Sequence, residues 1–318
     1  MIPNHLTDGS GSMLVGERGF EPPAPASRRQ CSTRLSYSPT GLPDQWSGAG
    51  LGLTSGRVQD TQAPHLRSGS RRRNVDPMTG QSDEVQVHRR FRGPPTSGNG
   101  GYVAGLVAEW IDAPARVDLL APIPLEVPLH RRRDDAEVML FDAQKNYARA
   151  ILLDQPLDFD RPGPPTEEEL EAAAMYFPGP SGHPIPGCFV CGTERGPDDG
   201  LCIYPGESPH RDVAIAEWTP GEDLADDQGH IEERYLWAAL DCPSYFGLCE
   251  PRPLALLARL SAQVERPVFP GERLSITGWE LSREGRKHHS ATVIHDQAGE
   301  VVALARALWI EVESIPAA

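Results

Sequence analysis

The sequence has no run of apolar side chains near the roughly 18 residues that a membrane-crossing helix needs. Its first 30 residues also lack an apolar stretch ending in a small-residue cleavage site, so neither membrane insertion nor ordinary secretion is expected. Cysteine is scarce: six in 318 residues are too few for a disulfide scaffold, and reduced thiols in a cytoplasmic protein are the expectation. Basic charge is short as well, with 30 Lys and Arg against 45 Asp and Glu, a formal net charge of −15. The deficit is uneven. Up to Pro77, nine Arg and no Lys face six carboxylates, a net of +3; from Met78 onward, 21 basic residues face 39 acidic ones, a net of −18. An acidic body repels phosphate backbones, which argues against nucleic acid as the main partner.

What residues 1–77 do contain is ten Gly, eight Pro and ten Ser, 28 of 77, with no hydrophobic period. Such a composition buries too little apolar surface to offset the entropy of ordering it, so this tail is expected to be disordered. Within it, Gly16-Glu17-Arg18-Gly19-Phe20-Glu21-Pro22-Pro23, followed by Arg28 to Thr40, resembles the peptide made when a transfer-RNA gene is translated by mistake. The resemblance implies a mis-assigned start, with Met78 as the native one.

Past Met78 the pattern changes. Tyr102 to Ile111 holds one charged residue, Glu109, and an all-round apolar helix must be enclosed by something else. Strand-like runs follow at Arg116 to Leu129, Glu137 to Phe141 and Tyr147 to Leu153. A second apolar helix, Tyr235 to Leu240, runs into Asp241. It precedes strand-like runs at Leu254 to Val268, Arg273 to Leu281, His288 to His295 and Val301 to Val312. Details repeat as well. Arg116 reaches Pro124 as Arg259 reaches Pro267, and Ala148-Arg149-Ala150-Ile151 is echoed by Ala305-Arg306-Ala307-Leu308. Three matches in one order argue for an internal duplication. The expected halves are residues 78–155 and 188–318. They are joined by a Pro/Gly-rich linker, 156–187, with one helix capped by Thr166 and Glu169.

A long buried helix wrapped by an antiparallel sheet, twice in one chain, resembles the hotdog fold, an α+β class, and most of all the double-hotdog acyl-CoA thioesterases. The resemblance rests on Gly98-Asn99-Gly100-Gly101-Tyr102-Val103-Ala104 and Ala121-Pro122-Ile123-Pro124-Leu125 in the first half. In the second it rests on Cys188-Phe189-Val190-Cys191-Gly192, Gly200-Leu201 and Ala239-Leu240-Asp241. It implies two tandem hotdogs and hydrolysis of an acyl thioester. Coenzyme A would enter only as part of the substrate, with no further cofactor. Self-association through the sheet faces is compatible with it.

Glycines just before a helix let a ligand approach the backbone, and the N–H groups there carry the positive end of the helix dipole. Gly98-Asn99-Gly100-Gly101 therefore suits an oxyanion hole, with Gly100, Gly101 and Tyr102 as donors; the alternative is a tight turn with Asn99 as helix cap. Asp241 is a carboxylate in an enclosed apolar helix, within a turn of the helix-kinking Pro243. It suits a general base acting on water, or else a structural pairing with Arg259 or another cation. Sliding the helices together at Tyr102 and Tyr235 puts Ala108 opposite Asp241, which suggests one site per chain, with the glycine loop drawn from the other half. The thioesterase II pattern pairs this Asp with a hydroxyl residue and a Gln. Here Leu254 to Ala258 has no Ser or Thr and the final strand has no Gln, so only the Asp carries over.

Other candidates are weaker. Arg131-Arg132-Arg133 could meet the phosphates of coenzyme A or form a solvated hairpin tip. Cys188 and Cys191 have zinc-knuckle spacing, with Cys202, Cys242 and His183 as further candidates. No second CxxC is present, so a packed loop without metal is the expectation. His230 reads as a surface or capping residue, and His288-His289 as exposed. Three functions remain: thioester hydrolase, non-catalytic acyl-CoA binder, and hydratase or dehydratase.

Overall fold

The computed structural model describes residues 82–135 and 137–315; the expectations for residues 1–77 and for Met78 lie outside them. Eleven strands are formed among the described residues: β1 (Ser82–Gln86), β2 (Ala115–Leu119), β3 (Pro128–Asp134), β4 (Glu137–Phe141), β5 (Asn146–Leu152), β6 (Gly206–Glu207), β7 (Ala214–Trp218), β8 (Ala255–Val264), β9 (Leu274–Glu284), β10 (Lys287–His295) and β11 (Val301–Glu311). Three α-helices join them: α1 (Gly100–Ala108), α2 (Glu167–Met175) and α3 (Glu233–Phe246). The strands make one antiparallel sheet in the order β1-β3-β4-β5-β2-β8-β11-β10-β9-β7-β6. No helix among the described residues is long and apolar enough to cross a membrane.

Alternation decides which face is core. In β4, Val138 and Leu140 are fully buried while their neighbours are only partly so. α1 is buried from Gly101 to Ala108 and α3 over nearly its whole length; both lie on the inner face of the sheet and against each other. The two helices run antiparallel, because Gly101 abuts Trp237, Ala238 and Asp241 whereas Gly105 abuts Arg234. The approach is close: a Cβ on Gly101 would lie 2.5 Å from the Asp241 Cβ, and one on Gly105 2.5 Å from the Arg234 Cα.

The element order repeats about the middle of the sheet. After α1 the strands lie side by side as β2-β5-β4-β3; after α3 they lie as β8-β11-β10-β9. The halves join where β2 pairs with β8, Val117 facing Leu260. Val117 faces Ala150 on its other side and Leu260 faces Ala307, so the two Ala-Arg-Ala echoes occupy matching register positions.

Several expectations need correction. Arg116 to Leu129 is not one strand: β2 ends at Leu119, and the segment carrying Pro122 and Pro124 cannot donate a continuous ladder before β3 starts at Pro128. β1, β6, β7 and all of β3 beyond Leu129 fall outside the expected strand runs. Arg131, Arg132 and Arg133 lie within β3 rather than at a hairpin tip. His288 is buried between Glu280 and Glu311, not exposed. α3 runs through Pro243 to Phe246; in that turn the buried Thr292 hydroxyl donates to the Leu240 carbonyl at 3.0 Å. Thr166 and Glu169 do form a reciprocal capping box at the start of α2.

Candidate functional site

The start of α1 and the middle of α3 meet at one wall of a cavity of about 320 Å³. Asn99 is the N-cap of α1: its Oδ1 accepts from the Tyr102 N–H at 2.9 Å. That leaves its Nδ2 to donate to Asp241 Oδ2 at 2.9 Å, beside the Gly101 N–H, which donates to the same oxygen at 2.9 Å. The residues expected to act together are thus brought together across the two halves, but with altered roles. Gly101 and Tyr102 spend their N–H groups on Asp241 and Asn99. Of the three expected donors, the Gly100 N–H alone has no acceptor among the described residues, and Gly100 borders the cavity.

Asp241 is 2 % exposed, and its Oδ1 has no partner among the described residues. Burial pushes its carboxyl up to about 7, and the Cys188 sulfur pushes the same way; the bonds from Gly101 and Asn99 oppose both by favouring the anion. Arg259, the alternative partner, is engaged elsewhere: its Nε donates to Asp118 Oδ1 at 2.5 Å in the β2–β8 seam.

Three cysteines stand next to this carboxylate. The loop carrying Cys188 and Cys191 is docked by the Phe189 N–H, which donates to the Arg92 carbonyl at 2.8 Å. The Phe189 ring also contacts Phe91, Tyr102 and Tyr235. Cys242 follows Asp241 on α3, and its Sγ lies 3.7 Å from that of Cys188. Hydrogen bonds from the Cys191 and Cys242 thiols hold the Cys188 thiol well below its usual range. Burial pushes the Cys191 thiol up, and the bond to Cys188 does the same for Cys242. Sequence spacing could not single Cys242 out from Cys202 and His183 as the third member, because it is over fifty residues from Cys188 and Cys191. Cys202 does not join the group.

The rest of the cavity is mostly hydrocarbon, including Leu119, Ile123, Trp309 and the whole stretch Leu254 to Ala258. None of Arg131, Arg132 and Arg133 lines it. Arg131 is buried, bonding Asp83 at 2.7 Å, Glu109 at 2.8 Å and the Leu106 carbonyl at 2.5 Å, and it ties β1 and β3 to the end of α1. Arg132 pairs with Asp134 at 2.7 Å, and Arg133 donates to the Trp110 carbonyl at 2.5 Å. Arg89 and Arg92 lie closer, in a recess that shares Gly93, Pro184 and Ile185 with the cavity. Among the described residues neither guanidinium forms a close salt bridge, although the Arg89 charge acts on Glu126 and Glu194 lines the same recess. His230 lies outside the cavity, its N–H bonded to Asp226.

No protein-family model matches the chain, and no curated protein matches it. Among solved structures, the chain is similar to the tesB protein of Mycobacterium avium subsp. paratuberculosis. Identity there is 12% over 73% of this chain and 93% of that one, with a TM-score of 0.46. It is similar to the PaaI protein of the E. coli phenylacetic acid degradation operon at 18% identity, covering 36% and 83% of the two chains, TM-score 0.33. Zebrafish thioesterase superfamily member 2 matches at 14% identity over 31% and 75%, TM-score 0.30.

Proposed function

We propose that residues 82–315 form two tandem hotdog units whose shared site hydrolyses an acyl-CoA or related thioester. One observation carries this reading. Asp241 reaches the cavity with Oδ2 held by the Gly101 N–H and the Asn99 amide of the other half, and with Oδ1 unpartnered among the described residues. A carboxylate fixed by one oxygen, with the other enclosed and left without a hydrogen-bond partner among the described residues, has one acceptor to offer a water.

In this reaction the water oxygen attacks the thioester carbonyl carbon while Asp241 Oδ1 takes a proton from the water. The carbonyl electron pair moves onto oxygen, where the Gly100 N–H and the positive end of α1 stabilise it. Collapse restores the carbonyl and breaks the C–S bond, and Asp241 returns its proton to the leaving sulfur. The products are a carboxylic acid and a free thiol. Asn99 and Gly101 serve as positioning groups for Asp241. The acyl chain occupies the hydrocarbon-lined part of the cavity, and the phosphates of coenzyme A lie towards Arg89 and Arg92. Those two arginines take the phosphate role that the sequence suggested for Arg131, Arg132 and Arg133.

A panel of acyl-CoA thioesters assayed for free thiol tests the reading: turnover of at least one member supports it. Saturable binding without turnover of any member would select the second reading, a non-catalytic acyl-CoA binder. That reading is favoured by Leu254 to Ala258, which line the cavity with no hydroxyl to complete the thioesterase II pattern.

A further inference from the structure

The three cysteines carry an inference independent of hydrolysis. The Sγ atoms of Cys188, Cys191 and Cys242 all lie within 4.8 Å of one another, and all three residues are buried. A tetrahedral zinc with Zn–S bonds of about 2.3 Å holds its sulfurs about 3.8 Å apart. The Cys188–Cys242 separation is 3.7 Å. The Cys188–Cys191 loop has the turn this requires: the Gly192 N–H donates to the Cys188 carbonyl at 3.0 Å, and a Cβ on Gly192 would lie 2.4 Å from that oxygen. The Asn99 amide also reaches the Cys188 sulfur at 3.8 Å, the kind of outer bond that steadies a metal-bound thiolate. Packing alone does not require three sulfurs to converge on one point.

We propose that Cys188, Cys191 and Cys242 bind one zinc ion as thiolates, with the fourth position facing the cavity. His183 is not the fourth ligand. Its Nδ1 accepts from the Ile185 N–H at 3.0 Å, so the neutral ring carries its proton on Nε2 and has no lone pair to offer there. The soft three-sulfur set selects zinc over calcium or magnesium.

The test uses the full chain, purified without chelator or affinity histidines, and measures zinc per chain by mass spectrometry. About one zinc is expected, released as three thiols are titrated with a mercurial. The metal-free protein rebuilt with Co²⁺ should show a thiolate-to-cobalt charge-transfer band and tetrahedral visible bands. Cys242→Ser should lose stoichiometric zinc, while Cys202→Ser and Asp241→Asn should keep it. The cobalt spectrum of the unaltered chain decides the matter if a variant fails to fold. The proposal is overturned by reduced protein that takes up neither metal. It is equally overturned by a Cys188–Cys242 disulfide in the purified protein, or by full zinc retention in Cys242→Ser. Because the readout is metal, loss of thioester turnover leaves the result unaffected.

Discussion

Asp241 is a buried carboxylate that no cation neutralises among the described residues; backbone and amide hydrogens hold it instead. Asp241→Asn keeps the shape and removes the proton acceptor. Without a partner cation to strand, its melting temperature should stay level or rise, which thermal unfolding would check. Arg92→Ala should raise KM for coenzyme A thioesters by roughly tenfold, about the worth of one charged hydrogen bond, and leave kcat near its starting value. A thioester lacking the nucleotide should show no such change; an equal rise with both substrates would remove Arg92 from the phosphate subsite. At this scale the sequence exposed the residue types and the sharing of one site by Asp241 and the glycine loop, but not which atoms would bond. Asp241 was conspicuous because a charge interrupts an apolar helix, and Asn99 with Gly101 because glycines cluster before one. That the Gly101 N–H would be spent on Asp241 depends on how two distant helices pack. Arg131 looked available because its partners, Asp83 and Glu109, come from other elements.

The elements owe their arrangement to the α1–α3 contact. Gly101 and Gly105, one turn apart, let the helix backbones approach closely enough for a main-chain N–H to reach a side chain of the neighbouring helix. Gly101→Ala would drive a methyl group against the Asp241 Cβ itself, so this change disturbs the base rather than only the carbonyl pocket. Gly105→Ala meets Arg234 instead, a turn away from the site. It should destabilise the fold by about 1–3 kcal/mol or more, read as a lower denaturation midpoint, with kcat of the folded fraction largely retained. An unchanged midpoint would mean that the helices are free to move apart. Both helices and most strands were readable from period and composition. β7 was not, since Ala214 to Trp218 follows a Pro/Gly-rich stretch without a clean polar alternation. The break after Leu119 was hidden because apolar residues continue through the proline-bearing turn.

Across the whole molecule the two halves close on Asp118, a nearly buried side chain that meets Arg259 from β8, Arg149 from β5 and Arg116 from its own strand. Burial would raise the Asp118 carboxyl, but the bonds from Arg259 and Arg149 outweigh it and hold it below its ordinary value. Its stabilising contribution is therefore complete above the unfolded value of about 3.9 and is lost as pH falls through the lower folded value. Asp118→Ala should cost about 1–3 kcal/mol at pH 7 in urea unfolding, and the difference from the unaltered chain should shrink below pH 4. A constant difference across that range would show that the seam does not depend on this charge. The repeated strand order was foreshadowed by the Arg…Pro and Ala-Arg-Ala echoes, and the register of Ala150 on Val117 and Ala307 on Leu260 explains why: matching sheet positions demand matching small side chains. The strand partnership across the seam was hidden, because no local pattern states which edges will meet. Since the candidate site draws Asn99, Gly100 and Gly101 from one half and Asp241 from the other, its chemistry belongs to the joined molecule. The most direct measurement is thiol release from a turned-over acyl thioester by the unaltered chain and by Asp241→Asn, matched for folded protein. The account predicts a fall in kcat of roughly 10²–10⁴ with little change in KM; equal turnover by the two proteins would contradict it.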